Sequence, residues 1–230
     1  MTKGNTMTHS ALFDVDGTLA DTNYLHVTAW WEALRQGGYT VPMAEVHGAI
    51  GLGSEDLLGK LLGEDRDRGQ DTYLDNAHSV FYATYFERLP ALADAGDLLR
   101  ALASRGWKVV LATSASAREL EALRRAIDAD DAIAGATSAD DVREGKPAPE
   151  PVRRAMDIAG GTAERTVFTG DSVWDMRAAA EADVTGVALL TGGICRAALA
   201  AAGASETYRS PTDLLAHLDT SIFARMETAS

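Results

Sequence analysis

LFDVDGTLAD, residues 12–21, is the stretch that decides how this chain reads. Its lead-in, SALFDV (residues 10–15), is a short apolar run of the kind found in a strand buried on both faces. The run ends on two carboxylates one residue apart, Asp14 and Asp16, with Gly17 directly after. Like charges at that spacing repel, and burial penalises both. The pattern therefore asks for a compensating charge, and a metal cation is the obvious one. Residues i and i+2 of a strand point the same way, so Asp14 and Asp16 are expected to face one ligand while Val15 enters the core. Gly17 permits a tight turn and leaves backbone N–H groups free for an anion. A surface turn is the plain alternative for Asp and Gly, but the apolar lead-in argues against it. In an EF-hand calcium loop the glycine stands sixth, whereas Gly17 is fourth counting from Asp14.

Working outward, apolar runs alternate with amphipathic ones. WKVVLAT, TVFTG and TGVALLTG read as buried strands, and AIAGATSAD (residues 132–140) as a weaker one. Helical patterns lie between or after them at residues 94–104, 118–127, 150–159, 176–182 and 196–201, and SPTDLLAHL opens a last helix with Ser-Pro. Strands alternating with helices predict an α/β fold, a Rossmann-like parallel sheet with right-handed crossovers. One region breaks the alternation. From residue 22 to residue 89 no strand is legible, and NYLHVTAWWEALRQGG, PMAEVHGAI, SEDLLGKLLG and RGQDTYLDNAHSVFYATYFERL read as four helices. The expected organisation is a core of residues 1–21 and 90–230 with an all-helical insert, 22–89, seated over the carboxyl edge of the sheet.

The 230 residues suffice for one large domain, or one domain with a smaller insert. A net charge of −13 argues against non-specific binding to nucleic acid or to an anionic membrane. The opening MTKGNTMTHS lacks the apolar core of a signal peptide, and no run reaches the ~18 apolar residues of a membrane span. The single Cys195 excludes an internal disulfide and fits a reducing, cytoplasmic setting; it reads as a small helix residue rather than a nucleophile. Residues up to 8 and after 225 read as polar, loosely tied ends.

In open parallel sheets, sites form beyond the carboxyl ends of the strands. There the chain places Asp14-Val15-Asp16-Gly17-Thr18, then Thr113-Ser114, then Gly145-Lys146-Pro147, then Gly170-Asp171-Ser172 with Asp175 one helical turn on. Each alone is weak: Lys146 would be a solvated lysine, Asp175 a first-turn acid, and Thr113-Ser114 a helix cap. In this order they resemble the four motifs of the haloacid dehalogenase-like superfamily of phosphohydrolases, and the resemblance spans residues 10–220. It looks most like the members with a helical cap after the first motif, such as the β-phosphoglucomutase and phosphoglycolate phosphatase types.

The resemblance implies a role for each residue. Asp14 is the nucleophile that forms an aspartyl-phosphate, and Asp16 is the general acid-base. Mg²⁺ is bound by Asp14, the backbone carbonyl of Asp16 and Asp171, with Asp175 acting through water. Gly17, Thr113, Ser114 and Lys146 hold the phosphate oxygens. The second aspartate, Asp16, argues against dehalogenation. In the cap, IGLGSEDLL (residues 50–58) resembles the loop that reads the leaving group. Aligned on Gly51, Ser54 stands where mutase-like relatives carry an arginine and phosphonoacetaldehyde hydrolases a lysine, so neither reaction is favoured. His26, on the first cap helix, matches a histidine near the active site of the mutase-like proteins. Trp30, Trp31 and the stripe VFYATYF read as cap packing, Lys60, Arg66 and Arg68 as solvated, and Trp174 as a brace or cover. The expected activity is hydrolysis of a small phosphorylated metabolite. A sugar-phosphate mutase and a silent phosphate- or metal-binding module are the alternatives, and no motif names the substrate or the oligomeric state.

Overall fold

The computed structural model describes residues 8–138 and 143–228. Its six strands are β1 (Ser10–Phe13), β2 (Lys108–Ala112), β3 (Ile133–Thr137), β4 (Thr166–Gly170), β5 (Thr185–Leu189) and β6 (Ala204–Tyr208). All neighbours pair in parallel, in the order β3-β2-β1-β4-β5-β6. This is the α/β architecture that the alternation predicts. β1 sits between β2 and β4, with Phe13 level with Leu111 and Thr169. Successive strands run outward from β1 in opposite directions, so the crevice beyond the carboxyl ends opens above β1, β2 and β4.

The sheet buries both faces, which is why β1, β2 and β4 are almost wholly apolar. On one face Ala11, Phe13, Val109 and Leu111 pack with α5 (Ala95–Ser104) and α6 (Ala117–Ile127). The same cluster takes in Leu214 of α10 (Pro211–Ala216) and Phe223 of α11 (Ile222–Thr228). On the other face Leu12, Val110 and Phe168 pack with Val152 and Ala155 of α7 (Glu150–Ala159) and Ala178 of α8 (Val173–Glu181). Leu199 of α9 (Arg196–Ala201) closes a small cluster with Met176 and Ala188.

Between β1 and β2 lie α1 (Asn23–Gln36), α2 (Met43–His47), α3 (Ser54–Leu62) and α4 (Asp71–Ala83). α1 and α4 pack against each other, and the four helices share a hydrophobic cluster around Trp30, Leu34, Val46, Leu58 and Leu74. Trp174 of the core also packs on this cluster, so its ring braces the insert rather than lining the crevice. The chain enters and leaves the insert side by side. Asp21 N–H donates to Pro90 C=O and Leu92 N–H to Leu19 C=O, both at 2.9 Å, around an Ala20–Ala91 bridge.

Several expectations need correction. β6 and α11 carry no clear sequence signal, yet both are present; Glu206 takes Tyr208 and Arg225, and Trp107 Nε1–H donates to Glu227 at 2.6 Å, so the described end of the chain is tied down. The long helix read from 68 to 89 is three pieces: short 3-10 turns at Arg68–Gln70 and Phe86–Arg88 flank α4. β1 ends at Phe13, which places Asp14 and Asp16 in a loop rather than on a regular strand. Cys195 is an exposed N-cap, outside the helix proper. Arg66 is not solvated: its side chain is buried and grips Asp71 at 2.9 Å. The last two residues of the run read as β3 lie outside the described residues. No helix among the described residues is long and apolar enough to cross a membrane.

Candidate active site

The loop after β1 closes on itself: Gly17 adopts φ +76° and donates to Ala20 C=O, while the N–H groups of Leu19 and Ala20 return to Val15 C=O. Val15 is fully buried, and the turn leaves Asp14 and Asp16 on separate partners. Asp14 Oδ1 accepts from Lys146 Nζ at 2.5 Å, and the Thr18 hydroxyl stands 3.1 Å from Asp14 Oδ2 and 3.0 Å from Asp171 Oδ1. Lys146 also reaches Asp175 at 2.8 Å. Asp171 follows β4, and its Oδ2 accepts from Asn23 Nδ2 at 2.7 Å. Asp175 lies in the first turn of α8, in a capping box with Ser172. Oxygens of Asp14, Asp171 and Asp175 all lie within 4.8 Å of one another. Three buried carboxylates thus share one buried ammonium. Burial pushes the Asp14 carboxyl up to about 7, against the pull of Lys146, and it pushes Asp171 well above the carboxylate range, helped by the charges of Asp14 and Asp175. Burial also works against the Lys146 charge, but Asp14 and Asp175 outweigh it and hold the ammonium firmly protonated.

Asp16 belongs to a second cluster. Its Oδ1 accepts from the Thr22 hydroxyl at 2.6 Å and lies 3.1 Å from His26 Nε2. Glu119 Oε1 is 3.5 Å from the same nitrogen, and His26 Nδ1 is 3.1 Å from His78 Nε2. Burial alone would raise Asp16 and lower His26; their mutual attraction reverses both shifts. His78 moves the other way, well below its usual value, because it is buried beside a cation. The directions agree on one state: an imidazolium at His26 donating to Asp16 and to a neutral His78.

Both clusters open into one cavity of about 670 Å³ between the sheet edge and the insert. Of the expected residues, Asp14, Asp16, Ser114, Asp171, His26, Gly51 and Ser54 line it. Lys146 sits beneath Asp14. Thr113 Oγ1 accepts from Ala115 N–H at 3.0 Å, and Ser116, rather than Thr113 or Ser114, caps α6. Ser54 Oγ donates to Asp75 at 2.5 Å. Gly51 has φ +99°, and a Cβ there would stand 2.9 Å from Ser172 Oγ, so the insert's loop rests on the loop that carries Asp171.

A profile for haloacid dehalogenase-like hydrolases matches residues 9–183, the span that holds both clusters. The chain belongs to the haloacid dehalogenase-like hydrolase family. It is 30% identical over 218 residues to a phosphoglycolate phosphatase of Cereibacter sphaeroides, covering 90% of this chain and 97% of that one. A hydrolase from Pseudomonas syringae superposes with a TM-score of 0.88 at 34% identity, over 93% of this chain and 99% of the other. CbbY from Rhodobacter sphaeroides, solved in complex with phosphate, superposes with a TM-score of 0.75 at 26% identity, over 93% and 100% of the two chains.

The Asp14, Asp171 and Asp175 cluster fits a divalent cation in this hydrolase. The donors are all oxygen, as hard cations prefer. One ammonium does not balance three carboxylates, and the buried Oδ1 of Asn23, whose amide already holds Asp171, has no hydrogen-bond partner.

Five of the groups that shape the site carry no motif of their own: Asn23, Thr22, His78, Glu119 and Gly192. Asn23 and Thr22 follow the first motif closely, and their proximity to Asp21 at a helix start was the available signal. Glu119 shows as the third position of the α6 capping box, which hides its second contact. Gly192 is silent in sequence. A Cβ there would overlap Asp171 Oδ2 and come within 2.8 Å of its Cγ. Asp171 cannot yield easily, being held by Thr18 and Asn23. Gly192→Ala is therefore expected to lower turnover at least about tenfold with a small change in melting temperature, since the strain falls on one side chain. Wild-type turnover in that variant would show that Asp171 is not fixed in place.

Proposed function

We propose that this hydrolase is a Mg²⁺-dependent phosphatase that releases phosphate from a small phosphomonoester through an aspartyl-phosphate on Asp14. The observation that carries the reading is the placement of Asp14: a buried carboxylate at the cavity floor, touched by Lys146 at 2.5 Å and flanked by Asp171. In the first step an Asp14 oxygen forms a bond to phosphorus and the bond to the leaving oxygen breaks. The leaving oxygen takes its proton from the Asp16–His26 pair, across a contact of 3.1 Å. In the second step water attacks phosphorus, Asp16 receives its proton, and Asp14 is freed. Lys146, the Gly17 loop and the Ser114 backbone hold the phosphate oxygens, with Thr113 shaping that turn. Asp14, Asp171 and Asp175, with the Asp16 carbonyl, would hold Mg²⁺, and when bound it would supply the charge that lets a carboxylate approach a phosphate dianion.

Residues 22–89 serve as a cap over the core formed by 1–21 and 90–230. The paired connections at 19–21 and 90–92 give it a single narrow attachment, suited to hinge motion. A mutase reading is disfavoured by Ser54, whose hydroxyl is turned onto Asp75 and offers no charge to a second phosphate. Dependence on a bisphosphate activator would restore it.

Steady release of free phosphate from an aryl phosphate tests the reading. Protein stripped with EDTA is expected to lose at least about 95% of its rate and to regain it with Mg²⁺, while Ca²⁺, with its looser shell, substitutes poorly. Mg²⁺ is also expected to raise the melting temperature of the stripped protein, because it binds only the folded carboxylate cluster. Full activity after stripping would refute the metal's role.

A further inference from the structure

The cavity above Asp14 has a half that the hydrolytic step does not use. It belongs to the insert, and Trp30, Asp56, Asp75 and His78 line it. Across from these, the core contributes Glu119 and Glu144. All four carboxylates border the same cavity. Asp75 accepts from the Ser54 hydroxyl at 2.5 Å, and no ion pair to it is found among the described residues. Trp30 lies flat on His78, ring centroids 4.3 Å apart, and is 4% exposed, so it gives this half only a small apolar surface.

The nearby cations are spent elsewhere. Arg66 is clamped to Asp71, and Arg68 pairs with Glu55 and Glu64. Lys60 lies over the Trp174 ring, away from the cavity. Lys146 is committed beneath Asp14. His26 is held between Asp16 and Glu119. Arg143 lines the rim, but its side chain is 93% exposed and turned to Glu150 at 3.7 Å.

We propose, resting on the phosphatase reading above, that the leaving group is an alcohol bearing an ammonium group, seated in this half of the cavity with its charge toward Asp75 and Asp56. An ammonium beside carboxylates in a partly closed cavity is attracted by the acids. A carboxylate or second phosphate in the same place meets four carboxylates, with Arg143 at the rim turned to Glu150 and His26 held by Asp16 and Glu119. The phosphoglycolate named for the Cereibacter relative carries such a carboxylate, and it finds no free counter-charge in this half of the cavity.

A panel of esters under one phosphate-release assay tests this: O-phosphoethanolamine, phosphocholine, glycerol 3-phosphate, phosphoglycolate and p-nitrophenyl phosphate. At least one of the two amine esters is expected to exceed both glycerol 3-phosphate and phosphoglycolate in kcat/KM by about tenfold or more. Asp75→Asn and, separately, Asp56→Asn are expected to shrink the amine-to-glycerol ratio severalfold, through KM more than kcat. Phosphoglycolate or glycerol 3-phosphate matching the amines in the wild-type protein overturns the inference and leaves the phosphatase reading standing. An amine preference that survives both substitutions overturns this seating. No phosphate release from any ester, the aryl phosphate included, overturns the phosphatase reading and the inference with it.

Discussion

Asp14→Asn is expected to slow phosphate release at least about 10³-fold while leaving the fold intact. Asparagine keeps the shape of the side chain, and its one oxygen can still accept from Lys146, which holds Asp14 Oδ1 at 2.5 Å, while the amide NH2 takes the place of the oxygen 3.1 Å from the Thr18 hydroxyl. What it loses is a carboxylate oxygen able to bond phosphorus. The melting temperature of the stripped protein should hold or rise, since one of three crowded acids becomes neutral. Asp16→Asn should behave differently. It removes the acceptor of the His26 proton, so an alkyl phosphate with a poor leaving group loses most of its rate, whereas an aryl ester that departs without a proton still loads Asp14. Near wild-type turnover of any ester by Asp14→Asn would sink the nucleophile assignment.

The two aspartates also show how far a sequence can be read. Their apolar lead-in, and the order of four strand ends, were sufficient to place β1, β2, β4 and β5 and to expect the acids, the lysine and the hydroxyls at one edge. Such signals are local: a buried parallel strand must be apolar throughout, and a strand end must stop. The separation of Asp14 from Asp16 was not legible. It depends on the Gly17 turn and on partners at very different distances along the chain: Lys146, 132 residues from Asp14, and His26, 10 residues from Asp16. Period-two logic placed both acids toward one ligand, and both line one cavity; what it could not show is that the loop gives one to Lys146 and the other to His26.

The misses elsewhere have similar causes. β6, ASETY, is a half-exposed edge strand with mixed polarity, so it lacks the apolar run that marks the inner strands. α11 is short, and its only deep anchor is Phe223, which meets Trp107 edge-on from far along the chain. Gly192 is silent because its importance lies in what a side chain would strike. His26 was legible as a residue near the site, but its partner Glu119 was not, because α6 comes from the other side of the cavity. Residues set by tertiary approach carry no periodicity to read.

Lys146→Met is expected to be the most damaging single change to stability, and to lower the rate as well. Lys146 is 2% exposed, and its ammonium is the one buried cation touching both Asp14 and Asp175 among the described residues. Methionine fills much of the same volume, so packing against Phe168 largely survives and the effect is mainly electrostatic. Removing one partner of a buried ion pair costs about 3–5 kcal/mol. Turnover should fall at least about 10²-fold, because the phosphate loses a fixed positive donor. The cluster has two ways to recover: a divalent cation or protons. Added Mg²⁺ should therefore restore part of the lost melting temperature but little of the rate, since it does not replace Lys146 at the phosphate. Protons act through Asp14, whose carboxyl already stands at about 7 in the folded protein, above its ordinary value. A raised folded pKa means the native state holds more protons than the unfolded chain, so stability falls as pH rises through that region. In EDTA, the deficit of Lys146→Met relative to wild type should be larger at pH 8 than at pH 6. Thermal melts at both pH values, with and without Mg²⁺, decide it. A variant as stable as wild type at pH 8 in EDTA would mean that Lys146 does not balance these acids, and the charge argument for this site would fail.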